Sequence, residues 1–234
     1  MPADSELFEK VEAVCGRCGL RHEVLVYRDR SYSVRNRRCP TCEAEHEAER
    51  EAEKHAEAER ERTAALEATW NAICPPLYQK TDPKRLPAER LAEVMDWQYG
   101  PVGILAVGPT RRGKTRSLYL LLHRLLQEGR EVVAFDCAAF GHECGMRFMD
   151  GSGASWADGL AEVEVCFFDD FGKIPMTERV ESELLALVER RTANELPILA
   201  TTNMTGQDLE RQASADRGAP LVARLREFCR VIVF

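Results

Sequence analysis

The sequence predicts an α/β protein: a mostly parallel five-stranded sheet between two helical layers, preceded by a small cysteine-bearing module and a charged helix. Three observations predict it. Apolar runs of strand length alternate with helical patterns from about residue 70 onward, two C-x-x-C pairs lie before residue 43, and an alanine- and glutamate-rich stretch joins the two parts. A chain of 234 residues is long enough for one full domain and one small module.

The first module spans residues 1–43. Cys15-Gly16-Arg17-Cys18 and Cys39-Pro40-Thr41-Cys42 each offer two thiolates from one tight turn, and tetrahedral zinc needs four such ligands. Between them, residues 20–27 and Ser31–Val34 read as two strands around an Arg28-Asp29-Arg30 turn, which predicts a zinc ribbon. His22 reads as a surface strand residue. From residue 15 to 42 the charges are Arg17, Arg21, Arg28, Arg30, Arg35, Arg37 and Arg38 against only Glu23 and Asp29. Contact with nucleic acid or an acidic protein surface and plain solvation account for these arginines equally well, since no aromatic platform accompanies them.

Residues 44–69 contain no glycine or proline and show no apolar stripe before Leu66. Glu47/Arg50, Glu51/Lys54, Glu57/Arg60 and Glu59/Arg62 are three apart, on neighbouring helical positions. A helix polar all round is a solvent-bridging spacer.

The third region, residues 70–234, carries the chemistry. Val102–Val107 is a buried-strand run, and it enters GPTRRGKT, residues 108–115, before a helix that ends near Gly129. In the frame G-x-x-x-x-G-K-[ST], backbone N–H groups of Gly108, Thr110, Arg111, Arg112 and Gly113 cradle phosphates, and Pro109, which has no N–H, completes the loop that surrounds them. Lys114 reaches the β- and γ-phosphates, Thr115 holds magnesium, and Arg116 opens the helix behind them. Glycine is commoner at the Arg111 position, where the chain turns sharply, yet the four frame residues are intact. A second strand ends in Asp169-Asp170: the first acid suits a magnesium shell and the second suits a water to be oriented or deprotonated. A third, Leu196–Thr202, ends at Asn203, where ligands sit in open α/β sheets. Further strands are expected at 131–135 and 230–234, and a helix at 178–193.

Cys137, His142 and Cys144 fall in a glycine-containing stretch read as a loop, with no usual metal spacing. Cys74, Cys166 and Cys229 lie in apolar contexts and read as core residues, as do Trp70, Trp97 and Trp156. Net charge is −7, no apolar run approaches membrane-spanning length, and the N-terminus has no hydrophobic signal region. The expectation is a soluble cytoplasmic protein without a membrane partner.

GPTRRGKT, CFFDDFGK (166–173), ERRTANELPILATTN (189–203) and LVARLREFCRVIVF (221–234) together resemble the AAA+ ATPases of the DnaC/DnaI helicase-loader and IstB transposition-helper group. The resemblance implies a P-loop AAA+ (ASCE) domain that hydrolyses ATP with Mg2+. It makes Lys114 and Thr115 Walker A residues, Asp169 and Asp170 Walker B, Asn203 sensor 1, and Arg224 an arginine finger acting on a neighbouring subunit of an ATP-dependent homo-oligomer. Arg226, Arg217, Arg190 and Arg191 are rivals for that last role. It also places the segment 74–83 near the adenine, with Tyr78 as the contact. A zinc module ahead of the ATPase resembles DnaI-type loaders, which implies a replicative hexameric helicase and single-stranded DNA as partners. An IstB-like transposition helper, or a nucleotide-gated zinc adaptor with little turnover, is the alternative. The family's arginine-bearing tail after the last strand has no counterpart in these residues.

Overall fold

A computed structural model describes residues 8–27, 38–172, 177–212 and 218–234. The chain divides into two compact units, Met1–Ala65 and Leu66–Phe234.

In the first unit, strands β1 (Phe8–Val14) and β2 (Arg21–Tyr27) pair antiparallel, from Phe8↔Tyr27 to Val14↔Arg21. The first cysteine pair is the tip of this hairpin. Cys15 N–H donates to Leu20 O at 2.8 Å and Gly19 N–H to Cys15 O at 2.9 Å, with Gly19 in the left-handed region. The hairpin therefore lies around the first knuckle, not between the two knuckles, and the expected strand Ser31–Val34 falls outside the described residues. Helix α1 (Pro40–Ile73) starts inside the second knuckle, with proline at a position that needs no N–H. It exceeds the expected 44–69 helix at both ends.

The second unit is built on a five-stranded parallel sheet. Short helices α2 (Pro76–Gln79) and α3 (Ala88–Met95) lead into β3 (Gly103–Val107), which is followed by α4 (Lys114–Gln127), β4 (Val132–Asp136), α5 (Cys137–Met149) and α6 (Gly153–Glu162). Then come β5 (Val165–Asp169), α7 (Glu178–Ala193), β6 (Ile198–Thr202), α8 (Gly206–Gln212), α9 (Gly218–Phe228) and β7 (Cys229–Val233). Spatial order is β4-β5-β6-β3-β7, and each neighbouring pair is parallel.

Parallel strands bury both faces, so successive residues serve two different cores. Ile104, Ala106, Phe167, Leu199 and Ile232 pack with α3, α4 and the last turns of α1 through Leu118, Leu122, Leu125, Val94 and Trp70. Leu105, Cys166, Phe168, Ile198 and Ala200 pack with α5 to α9 through Phe140, Leu160, Leu184, Leu209 and Leu225. Those are the three layers. Cys74, Cys166 and Cys229 are buried, and Trp97 is buried with its indole N–H donating to Val102 O at 2.7 Å.

Residues 137–149 are a helix rather than a loop. Asp136 caps it by accepting from Ala138 N–H at 2.8 Å, and Phe140, Cys144 and Phe148, one turn apart, face the core. Arg191, a candidate for an intersubunit role by sequence, is fully buried. Its guanidinium donates to Leu160 O, Val163 O, Glu164 O and Pro197 O at 2.7–3.1 Å, tying α6, β5 and β6 together. A side chain so committed cannot reach a neighbouring subunit.

Candidate nucleotide site and four-thiol site

Ligands of open α/β sheets bind beyond the C-terminal ends of the strands. Because β6 lies between β3 and β5, the loop after β3, the acids ending β5 and the turn after β6 are adjacent there. That arrangement brings Lys114, Thr115, Asp169, Asp170 and Asn203 into one hydrogen-bonded set.

The loop is shaped by three residues with positive φ. Gly108 has φ 145°, and a Cβ there would stand 2.5 Å from Phe234 O, so only glycine passes beneath the end of β7. Gly113, at φ 100°, precedes α4. Arg111 takes the left-handed conformation (φ 64°) that glycine adopts without cost, as the sharp turn demands. Arg111 and Arg112 are exposed, as are Pro109 and Thr110.

Lys114 is buried beneath this loop, and its ammonium donates to Gly108 O (2.7 Å), Pro109 O (2.8 Å) and Asn203 Oδ1 (2.8 Å). Burial pulls its pKa below the ordinary lysine value, while Asp170 and Asp169 pull the other way. Asn203 Nδ2 in turn donates to Asp170 Oδ1 at 3.4 Å, so the amide links the lysine to the second acid. Asp169 is buried, and its Oδ1 accepts from Thr115 Oγ1 at 2.7 Å and Thr201 Oγ1 at 2.6 Å. Burial raises this carboxyl above the usual aspartate range despite those two donors. A buried carboxylate beside a threonine hydroxyl is a hard oxygen donor set of the kind that holds magnesium.

Arg116 points to the segment ahead of β3: it donates to Thr81 Oγ1 at 3.0 Å and Leu77 O at 3.3 Å, and its Cζ is 5.6 Å from the Tyr78 ring centroid. Tyr78 stacks on Tyr119 of α4, centroids 5.1 Å apart, so the segment borders the loop's helix. Arg224 stands apart from this set. It is exposed on α9 beside Glu227, near the start of β7, at the N-terminal end of the strands and so the opposite end of the sheet from the loop. Arg190 is exposed and paired with Asp158 at 2.8 Å, Arg226 is exposed, and Arg217 lies outside the described residues.

In the first unit the Sγ atoms of Cys15, Cys18, Cys39 and Cys42 all lie within 4.8 Å of one another. Cys18 and Cys39 sulfurs are 3.7 Å apart. Thiolates about 2.3 Å from a tetrahedral zinc stand about 3.8 Å from each other, so the set fits the ion. Backbone amides of Cys18 and Cys39 lower the Cys15 thiol to about 5, whereas hydrogen bonding to Cys18 raises Cys42. His22 stands outside the cluster, on β2. Arg17 pairs with Glu49 (2.8 Å) and Glu45 (3.6 Å) of α1, Arg21 with Glu12 and Arg38 with Glu43, so each described arginine of the module already faces a carboxylate. Among the described residues no helix is long and apolar enough to cross a membrane.

No family model and no curated protein sequence matches the chain. Its fold matches solved structures at low identity. Against DnaI the TM-score is 0.57 at 16% identity, over 68% of this chain and 94% of that one. Against AMPPCP-bound DnaA from Aquifex aeolicus it is 0.54 at 18% identity, over 66% of this chain and 47% of that one. DnaA bound to AMPPCP and single-stranded DNA gives the same values. The chain thus spans about half the length of the DnaA structures it matches. With its parallel sheet, its glycine-framed loop after β3 and its strand-end acids, the second unit shares the α/β fold of the DnaI and DnaA structures.

Proposed function

We propose that this chain is an ATP-dependent helicase loader, which hydrolyses ATP in its second unit and engages a replicative hexameric helicase through its four-cysteine module. The observation that carries the reading is the convergence of Lys114, Thr115, Asp169, Asp170 and Asn203 at one end of the sheet. Lys114 and the loop amides receive the β- and γ-phosphates. Thr115 and Asp169 hold Mg2+, which would neutralise charge developing on the phosphates. Asp170 orients and deprotonates the attacking water, and Asn203, already bridging Lys114 and Asp170, keeps that water in register with the phosphate. Tyr78, on the segment bordering α4, contacts the adenine.

Zinc on Cys15, Cys18, Cys39 and Cys42 serves structure, since four thiolates leave no open position for chemistry. Arg224 cannot serve its own site from the opposite end of the sheet, and in an ATP-dependent homo-oligomer it acts on a neighbour. The single-stranded DNA held by one DnaA structure of this fold supports single strands as the second unit's nucleic-acid partner. The four-thiol module favours the loader over an IstB-like transposition helper, which shares the core motifs but generally lacks such a module.

The test is ATP hydrolysis by the full chain without DNA, with single strands and with duplex. Stimulation by single strands supports the loader; stimulation by duplex alone moves the assignment to transposition. Binding without turnover under every condition, a candidate helicase included, makes the chain a nucleotide-gated adaptor.

A further inference from the structure

We propose that Thr201 is the positioning residue of the acid pair: its hydroxyl and carbonyl together fix residues 169–171 in the geometry that makes Asp169 a metal ligand and Asp170 a base. A threonine hydroxyl has one proton to give and lone pairs to receive. The proton goes to Asp169 Oδ1 at 2.6 Å, and Oγ1 accepts Asp170 N–H at 2.9 Å. The carbonyl of the same residue accepts Phe171 N–H at 2.7 Å. One fully buried residue thus holds three consecutive residues of the neighbouring strand end.

It does so where the sheet stops doing so. Pairing of β5 with β6 ends at Phe168↔Ala200, and beyond it the chain turns with Asp170 at φ 55°, a left-handed conformation unusual for a residue with a side chain. Such a backbone persists when its surroundings over-determine it. The hydroxyl is one of those determinants, the Phe171 amide bond another. Thr115 donates to the same Asp169 oxygen, so Thr201 fixes the carboxylate from the strand side while Thr115 approaches from the loop. Thr202 extends the pattern by one residue: its Oγ1 donates to Phe171 O at 2.7 Å and accepts from Met204 N–H at 3.1 Å.

Thr201→Val keeps the shape and deletes the hydroxyl, and Thr201→Ser keeps the hydroxyl and deletes a methyl. Small misplacement of a reacting group costs up to about 100-fold. Valine is expected to lower kcat on the order of 10- to 100-fold with nucleotide affinity in EDTA unchanged, and to raise the Mg2+ concentration for half-maximal turnover several-fold. Serine is expected to restore both within about threefold. A valine variant with wild-type kcat and Mg2+ dependence overturns the proposal, as does a serine variant as impaired as valine. If valine fails to fold, serine alone decides between rescue and loss. The kinetic arm rests on the ATP-hydrolysing reading, so a crystal structure of nucleotide-free Thr201→Val is the independent arm. Asp170 is expected to leave positive φ, and Asp170 retained at φ near 55° overturns the proposal whether or not the wild type hydrolyses ATP.

Discussion

The two units keep their shape by different means. Among the described residues of the first, the buried set is mostly sulfur: Cys15, Cys39 and Cys42 form a cluster, and Ala13 and Val26 of the hairpin are buried apolar residues. In the second, two apolar clusters clasp a sheet whose β5 and β6 are buried along their length. So little apolar burial among the described residues would leave the ordering entropy of the module to be offset by a metal on its four thiolates, as the zinc reading expects. The larger unit depends on area. Its buried polar groups are therefore a cost, tolerated where they do chemistry or clamp carbonyls.

The largest break in that comparison would be loss of the metal that the four thiolates are proposed to hold. Cys39→Ser or chelation removes on the order of 10 kcal/mol of metal-coupled folding from the first unit. Hydrogen exchange on the full chain should then show residues 8–27 unprotected while β3, β5 and β6 keep wild-type protection. Deprotection of all three strands to the same extent would refute the division of labour.

Next comes Arg191. Replacing it with methionine preserves bulk but leaves four carbonyls, two of them in fully buried bonds, without their donor, at roughly 3–5 kcal/mol. A fall in Tm of roughly 10 °C is expected. Arg190→Ala, which breaks only the exposed pair with Asp158, should cost under about 1 kcal/mol. Equal effects of the two variants would show that the buried arginine is not a clamp.

Asp169→Asn should move stability the other way. Burial raises the Asp169 carboxyl in the folded chain, so the folded state holds that proton more tightly than the unfolded one. Its ionisation thus costs stability once pH rises from the ordinary aspartate range through the raised value. At neutral pH the asparagine variant is expected to gain about 1 kcal/mol, or roughly 2–4 °C in Tm, while losing Mg2+-dependent turnover. The gain should vanish below the ordinary aspartate range; a gain independent of pH would argue against this cause.

The smallest effect belongs to Glu164, whose carboxylate accepts from the Glu131 amide (2.8 Å) and from Arg130 (2.6 Å). These bonds, the amide first, hold its pKa below the ordinary glutamate value. The stabilisation is present above that value and lost as pH falls through the lowered one. Partly exposed, it is worth up to about 1 kcal/mol. Glu164→Gln should show that deficit at pH 7 by denaturant titration and none at low pH.

Legibility in the sequence followed the range of the interactions. Helix α7 was readable to the residue because its apolar positions recur at helical spacing and Thr177 caps it, accepting from Val180 N–H at 3.3 Å. The sheet strands were placed within a residue or two, since buried parallel strands are continuous apolar runs. Strand β1 was missed because Lys10 interrupts the alternation of FEKVEAV. Helix α5 was misread because Gly141 and Gly145 suggest a loop, while the Phe140/Cys144/Phe148 stripe that overrides them depends on tertiary packing. In the site, the phosphate loop, the acid pair and Asn203 announce themselves by local pattern. The roles of Thr201 and Arg191 do not. Apart from Pro197, their partners lie 27–32 residues away, and nothing in the spacing of T-T-N or E-R-R distinguishes a hub or a clamp from its neighbour.

The most direct test of the account is a single-turnover ATP assay with Mg2+ on the full chain beside Lys114→Ala and Asp170→Asn, with binding measured in parallel. Binding and cleavage by the wild type, binding without cleavage by Asp170→Asn, and loss of both in Lys114→Ala are expected. Cleavage by Asp170→Asn at the wild-type rate, or undiminished binding by Lys114→Ala, would contradict the account.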